Sequence, residues 1–261
     1  MRYLVACGIV LVGMLSARAN APELIKKLQS NDNEVRREAA RGLGDLGKDA
    51  NSAIKPLVKA LADEDRFVRR FAAQALGNIG PDAAKDAMAG LTKLLDDDKQ
   101  PVREASIKAL AKMGPTALPA LKKALTGPSD VQEVAIIALG GVGEGGIPVL
   151  AGVIKNAKIS TPLRRRAIEA LPKGEGARPA LSALVEVVIK PSANGPEARP
   201  FHLDAIAAVG RIATNTDSAA VAALDKIAKD ESRPNQPLRK PAQNALKSVQ
   251  IEKTAVLPAL P

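Results

Sequence analysis

The side chains in this chain best suited to chemistry are arginines, and they recur. Arg36, Arg69, Arg103, Arg164 and Arg239 each directly follow an apolar residue, and Gln132 and His202 stand in the same place in two further copies. A guanidinium presents five donors in a fixed fork, so it can grip a carboxylate or a phosphate through parallel hydrogen bonds. Such a series could be offered to an anionic ligand, or it could tie the chain to itself. Little other chemistry is available. His202 is the only histidine and Cys7 the only cysteine. One histidine cannot build the paired-ligand sites of zinc or iron enzymes, nor anchor a Ser-His-Asp group. The Gly-rich stretch "GGVGEGG" (140–146) follows a helical pattern and lacks the Lys-Ser/Thr ending of a phosphate-cradling loop. No enzyme chemistry, cofactor or metal is expected.

The elements that position these arginines follow from an internal repeat. The apolar residue before each of them is Val35, Val68, Val102, Val131, Leu163, Phe201 and Leu238, at spacings of 33, 34, 29, 32, 38 and 37 residues. Four positions on stand Ala39, Ala72, Ser106, Ala135, Ala167, Ala205 and Ala242. Eight positions on stand Leu43, Leu76, Leu110, Leu139, Leu171, Val209 and Leu246. Offsets 0, 4, 7, 8 and 11 share one face of an α-helix, so each copy carries an amphipathic helix with a small-residue stripe. Gly47, Gly80, Gly114 and Gly143 stop it. A shorter apolar helix follows, as in "AIKPLVKAL" (53–61), "AMAGLTKLL" (87–95), "ALPALKKAL" (117–125) and "GIPVLAGVI" (146–154). A polar turn rich in Asp, Asn and Pro then leads into the next arginine-bearing helix and suits its N-cap.

Two helices per unit, seven times over, predict an all-α fold, an α-solenoid of about seven two-helix repeats. The pattern Pro-x-Leu-x-x-x-Leu, Asp-rich turn, Val-Arg-x-x-Ala-x-x-x-Leu-Gly-x-x-Gly resembles the HEAT repeat, in a form similar to the phycobilisome-lyase-type HEAT-like repeat. The resemblance spans about residues 21–250 and carries the fold more than the function. It implies that the arginine of one unit reaches turn aspartates of its own or the adjacent unit; Asp32, Asp63, Asp65 and Asp98 lie in those turns. It also implies that the second helices line a concave surface. Outward offsets 2 and 6 of those helices then give the candidate partner contacts Arg37, Arg41, Arg70, Gln74 and Lys108.

Enzymatic relatives of this repeat class are not matched. The chain has no His-Glu pair for a di-iron site, nothing that aligns with a bilin site, and few aromatics for base stacking, namely Phe67, Phe71 and Phe201 beyond residue 19. Residues 1–19 read as a secretory signal, with Arg2, the apolar run "YLVACGIVLVGML" and the small-x-small "ARA" ending at Ala19. The run is short for a membrane span, and removing the segment takes the net charge from +10 to +8. The domain plan is a signal at 1–19, a solenoid at 20–250 and a flexible tail at 251–261, with polar loops at 190–200 and 229–237. A secreted or periplasmic scaffold for a protein partner, with an acidic segment of it as the candidate contact, is the expected function. The alternative is polyanion binding, to nucleic acid or acidic polysaccharide, along the basic N-terminal repeats.

Overall fold

Polar turns and Gly stops divide the chain into helical pairs, and the computed structural model shows those pairs stacked in order. It describes residues 20–143, 145–190, 198–232 and 236–251. The first helices of the seven units are α1 (Ala21–Lys27), α3 (Ile54–Ala60), α5 (Ala84–Lys93), α7 (Leu118–Ala124), α9 (Ile147–Lys155), α11 (Leu181–Ile189) and α13 (Ser218–Lys229). The second helices are α2 (Asn33–Leu46), α4 (Arg66–Ile79), α6 (Gln100–Lys112), α8 (Ser129–Gly141), α10 (Thr161–Glu169), α12 (Ala198–Ile212) and α14 (Gln236–Ile251). The described residues contain no strand. The fold is an all-α solenoid. The signal segment 1–19, residues 191–197 and 233–235 of the two loops, and 252–261 of the tail lie outside the described residues.

Local chemistry sets the helix ends. Asp32 accepts from the Glu34 amide at 2.8 Å, and Asp65 accepts from the Phe67 and Val68 amides at 2.9 and 3.0 Å. These are N-caps, which satisfy otherwise orphaned first-turn donors. At the other end Gly47, Gly80, Gly114 and Gly143 have φ of 54°, 87°, 76° and 86°, a region costly for residues with a Cβ. In the fifth unit α10 ends at Glu169, and the positive φ, 72°, falls later, at Gly174.

The small-residue stripe sets how closely units stack. A Cβ added to Gly77 would lie 2.8 Å from Cα of Ala109, and one added to Gly210 would lie 2.9 Å from Cα of Ala245. Gly140 meets the Ala170 carbonyl oxygen in the same way, at 2.3 Å. Offset 9 of one second helix therefore touches offset 7 of the next, backbone nearly to backbone. Leu43, Leu76, Leu110 and Leu139 fill the layer behind and are fully buried. Ser106 replaces alanine at one buried stripe position, and its hydroxyl donates to the Leu91 carbonyl at 2.5 Å, so no polar group is left unsatisfied there. In the N-terminal units the second helices pack on one another more closely than the first helices do.

Candidate functional site

The recurring arginines lie at the seams between units. Arg36 donates from Nε and Nη2 to both carboxylate oxygens of Asp63, at 2.8 and 3.0 Å, and from Nη1 to the carbonyls of Ser30 and Asn31, at 3.0 Å each. Arg69 repeats this one unit on, reaching Asp97 at 2.8 and 3.1 Å and the carbonyls of Asp63 and Glu64 at 2.9 and 3.0 Å. Arg103 reaches Asp130 at 2.7 Å and the Asp97 carbonyl at 2.8 Å. Each fork holds the carbonyls of its own turn and the aspartate of the next. For Arg69 the principal partner is Asp97; Asp98 is a peripheral contact at 3.3 Å.

From the fourth unit on the seam changes chemistry. Gln132 donates to the Gly127 carbonyl at 2.9 Å. Arg164 donates from Nε to the Ile154 carbonyl at 2.8 Å and stacks its guanidinium 4.2 Å from the ring centre of Phe201, the anchor of the next unit. Burial lowers the pKa of Arg164, whereas hydrogen bonds to Asp63 and Asp97 raise those of Arg36 and Arg69. His202 is buried, with Nδ1 3.1 Å from the Ala198 oxygen and Nε2 3.0 Å from the Lys190 oxygen. Among the described residues Arg239 has only longer contacts, 3.3 Å to the Ala228 carbonyl and 3.8 Å to Glu231.

The outward stripe of α2 and α4 is a different environment. Arg37, expected to be free for a partner, is spent on the solenoid: Nε and Nη2 reach Asp65 at 2.8 and 2.5 Å, and Nη1 reaches Glu34. The Arg37 hydrogen bonds hold Asp65 well below the usual carboxylate range against its partial burial, and the Val68 and Phe67 amides add to the effect. Arg37 pairs because its offset meets the N-cap aspartate of the next unit. Arg70 has the same offset one unit later, but there the next N-cap residue is Lys99. Lys99 itself pairs with Asp98 at 2.8 Å. Among the described residues Arg70 has no carboxylate partner, and its buried Nε has no acceptor.

Aromatic faces hold Arg70 in place instead. Its guanidinium lies 4.7 Å from the Phe71 ring centre and 5.4 Å from that of Phe67. Arg37 and Arg66 each lie 4.7 Å from the Phe67 ring. Cation–π contact orients a guanidinium and leaves its N–H edges available to an anion. Arg66, Arg70 and Arg41 stand four residues apart in register along this stripe, and none has an ion pair among the described residues. Gln74 is exposed beside them. Arg66, Phe67 and Phe71 were not selected from the sequence. The i, i+4 spacing of Arg66 with Arg70 and of Phe67 with Phe71 was the available signal.

Further along the row the charges cancel. Lys108, another expected contact, is exposed and sits 3.7 Å from Glu104. On α8 and α10, Glu133 and Glu169 both bind Arg166, at 2.7 and 2.8 Å. Between these pairs stands Ile137, 52% exposed. The described residues hold no cluster of three or more His, Cys, Asp or Glu able to bind a metal, and no helix long and apolar enough to cross a membrane.

The sequence profile of HEAT repeats matches residues 21–111 and 83–140. Residues 21–140 belong to the HEAT-repeat family. The pairing of a first and a second helix continues beyond the matched residues through α9–α14. No curated protein matches the chain. Among solved structures, an engineered protein is similar at 24% identity over 88% of this chain and 68% of its own, with a TM-score of 0.48. The complex of CpcE and CpcF of phycocyanin lyase from Nostoc sp. is similar at 24% identity over 88% of this chain and 94% of its own, also at 0.48. A designed armadillo repeat protein in complex with a (KR)4 peptide has 23% identity over 88% and 99%, at 0.41.

Proposed function

We propose that this HEAT solenoid is an exported, non-catalytic scaffold that docks a protein partner through an acidic segment lying on the second-helix row. The observation that carries this reading is Arg70, a guanidinium stacked on two phenylalanines, for which the next unit's N-cap residue is Lys99 where Arg37, one unit earlier, receives Asp65. Uncompensated cations held on a rigid face favour a carboxylate-bearing ligand by charge complementarity. Arg41 and Arg66 extend the same stripe, Gln74 lies beside it, and Lys108 marks its far edge. Export rests on the residues Met1–Ala19 and predicts a mature chain that begins at Asn20.

Polyanion binding is the competing reading, favoured by the net charge of +10. The row argues for the shorter ligand. The cations without an ion pair among the described residues of this stripe, Arg41, Arg66 and Arg70, lie on α2 and α4, whereas farther along Lys108 and Arg166 are paired with Glu104, Glu133 and Glu169 and offer a long polyanion less. The test is fluorescence anisotropy with a labelled hexaglutamate peptide against wild type, Arg41→Glu, Arg70→Glu and Lys108→Glu. Arg41→Glu and Arg70→Glu are expected to weaken binding at least roughly tenfold with far-UV CD unchanged, and Lys108→Glu less. Wild-type affinity in both strong reversals would remove the site. Tighter binding of a 20-mer oligothymidylate than of the peptide would favour the polyanion instead, with a steep salt dependence.

A further inference from the structure

The stripe that begins at Arg66 does not end in charge. Two units along the same row, the outward position occupied by Arg41, Gln74 and Lys108 in the first three units is Ile137. Ile137 is the most exposed large apolar side chain among the described residues, and Val134, half-buried, lies one turn before it on α8. One turn after it stands Gly141, where an added Cβ would meet nothing within 4 Å. An aliphatic side chain with open space beside it, on the second-helix row of a solenoid, can receive another aliphatic side chain. The pairs on either side, Lys108 with Glu104 and Arg166 with Glu133 and Glu169, satisfy their own charges.

We infer that the docked segment is an extended peptide of two parts, carboxylates against Arg66 and Arg70 and one aliphatic side chain against Ile137, about five or six residues apart. This rests on the docking reading above and specifies its ligand. Packed helices stand about 8–10 Å apart, so the two steps from α4 to α8 span about 16–20 Å. An extended chain advances roughly 3.3–3.6 Å per residue, which gives the spacing. The linking residues cross α6, whose Glu104–Lys108 pair favours neither sign of charge. They are free to be small and neutral. The acidic end supplies steering and register, and the aliphatic end supplies apolar burial.

The experiment uses the mature chain and labelled peptides Glu-Glu-Gly-Ser-Gly-Ser-Leu and Leu-Gly-Ser-Gly-Ser-Glu-Glu, each beside its Leu→Ala counterpart. In one of the two orders the leucine peptide is expected to bind about tenfold tighter than its alanine form. Ile137→Gln is expected to erase that difference, while Ile189→Gln, at the other exposed large apolar residue (46%), leaves it intact. Equal affinity of leucine and alanine peptides in both orders, with binding still lost in Arg70→Glu, overturns the two-part ligand and leaves the acidic docking site standing. No binding of any glutamate peptide overturns both. Retention of the leucine advantage in Ile137→Gln, whose helicity is checked by far-UV CD, places the apolar contact elsewhere and refutes this assignment.

Discussion

Truncating Arg69 gives the most direct measure of what the repeated arginine contributes. Arg69→Ala removes a two-point grip on Asp97 and two hydrogen bonds to the Asp63 and Glu64 carbonyls. It leaves Asp97, whose side chain is 7% exposed, with only the Lys99 amide at 2.9 Å. Breaking a fully buried pair costs roughly 3–5 kcal/mol, and an exposed pair contributes only about 0–1 kcal/mol. This pair lies nearer the buried limit, but the remaining Lys99 amide offsets part of the loss. The working value is about 2–4 kcal/mol. For a chain of this length each kcal/mol shifts the melting temperature by about 2–4 °C, so a fall between about 4 and 16 °C is expected.

The comparison is Arg239→Ala, at the same offset but with contacts of 3.3 and 3.8 Å only. Its cost is expected to stay under about 1 kcal/mol. Arg69→Lys keeps the charge without the fork and is expected to recover less than half of the loss. In a solenoid each unit contacts only its neighbours, so the weakening should appear first as faster hydrogen exchange in α4 and α6. Urea titration by far-UV CD, with exchange mass spectrometry on the same variants, reads both effects. If Arg69→Ala and Arg239→Ala shift the midpoint equally, the seam carries no special stability and the reasoning fails.

Acid should loosen the same seams. Asp65 and Asp130 are held below the usual carboxylate range, chiefly by hydrogen bonds from Arg37 and Arg103. A depressed folded value contributes stability in full above the unfolded value near 3.9 and loses it as pH falls through the folded one. The melting temperature is expected to be flat from about pH 7 to 5 and to fall steeply below about pH 4. Asp130→Asn, already less stable at pH 7, should fall less steeply, and parallel curves would contradict the assignment. At the stacking stripe, Gly77→Val, whose Cβ would lie 2.8 Å from Cα of Ala109, is expected to cost about 1–3 kcal/mol by overpacking. Gly141→Ala, with nothing within 4 Å, should cost nothing measurable by urea midpoint; equal losses would refute the close-approach account.

Periodicity made the fold readable because each unit repeats the same local choices. The anchors, the alanines four positions on and the leucines eight positions on specify an amphipathic helix whatever surrounds it. What periodicity within a unit does not encode is the offset at which one unit meets the next. That offset decides which aspartate each arginine receives, and the sequence alone left its own turn and the adjacent turn both open. The structure resolves it: own carbonyls, adjacent carboxylate. The same offset took Arg37 from the list of free cations, because Asp65 arrives opposite it from the next unit.

Once the offset between units is known, function becomes a matter of which positions fail to match. Arg37 meets the N-cap Asp65, whereas for Arg70, one unit later, the equivalent N-cap residue is Lys99, which is paired with Asp98. A purely structural seam would have no reason to leave out the carboxylate and brace the guanidinium on Phe67 and Phe71 instead. Solvation alone could accommodate a surface arginine, yet here the guanidinium is half-buried and stacked on two aromatic rings. The regular arginines hold the solenoid together, and the irregular one marks where its chemistry is left open to a partner.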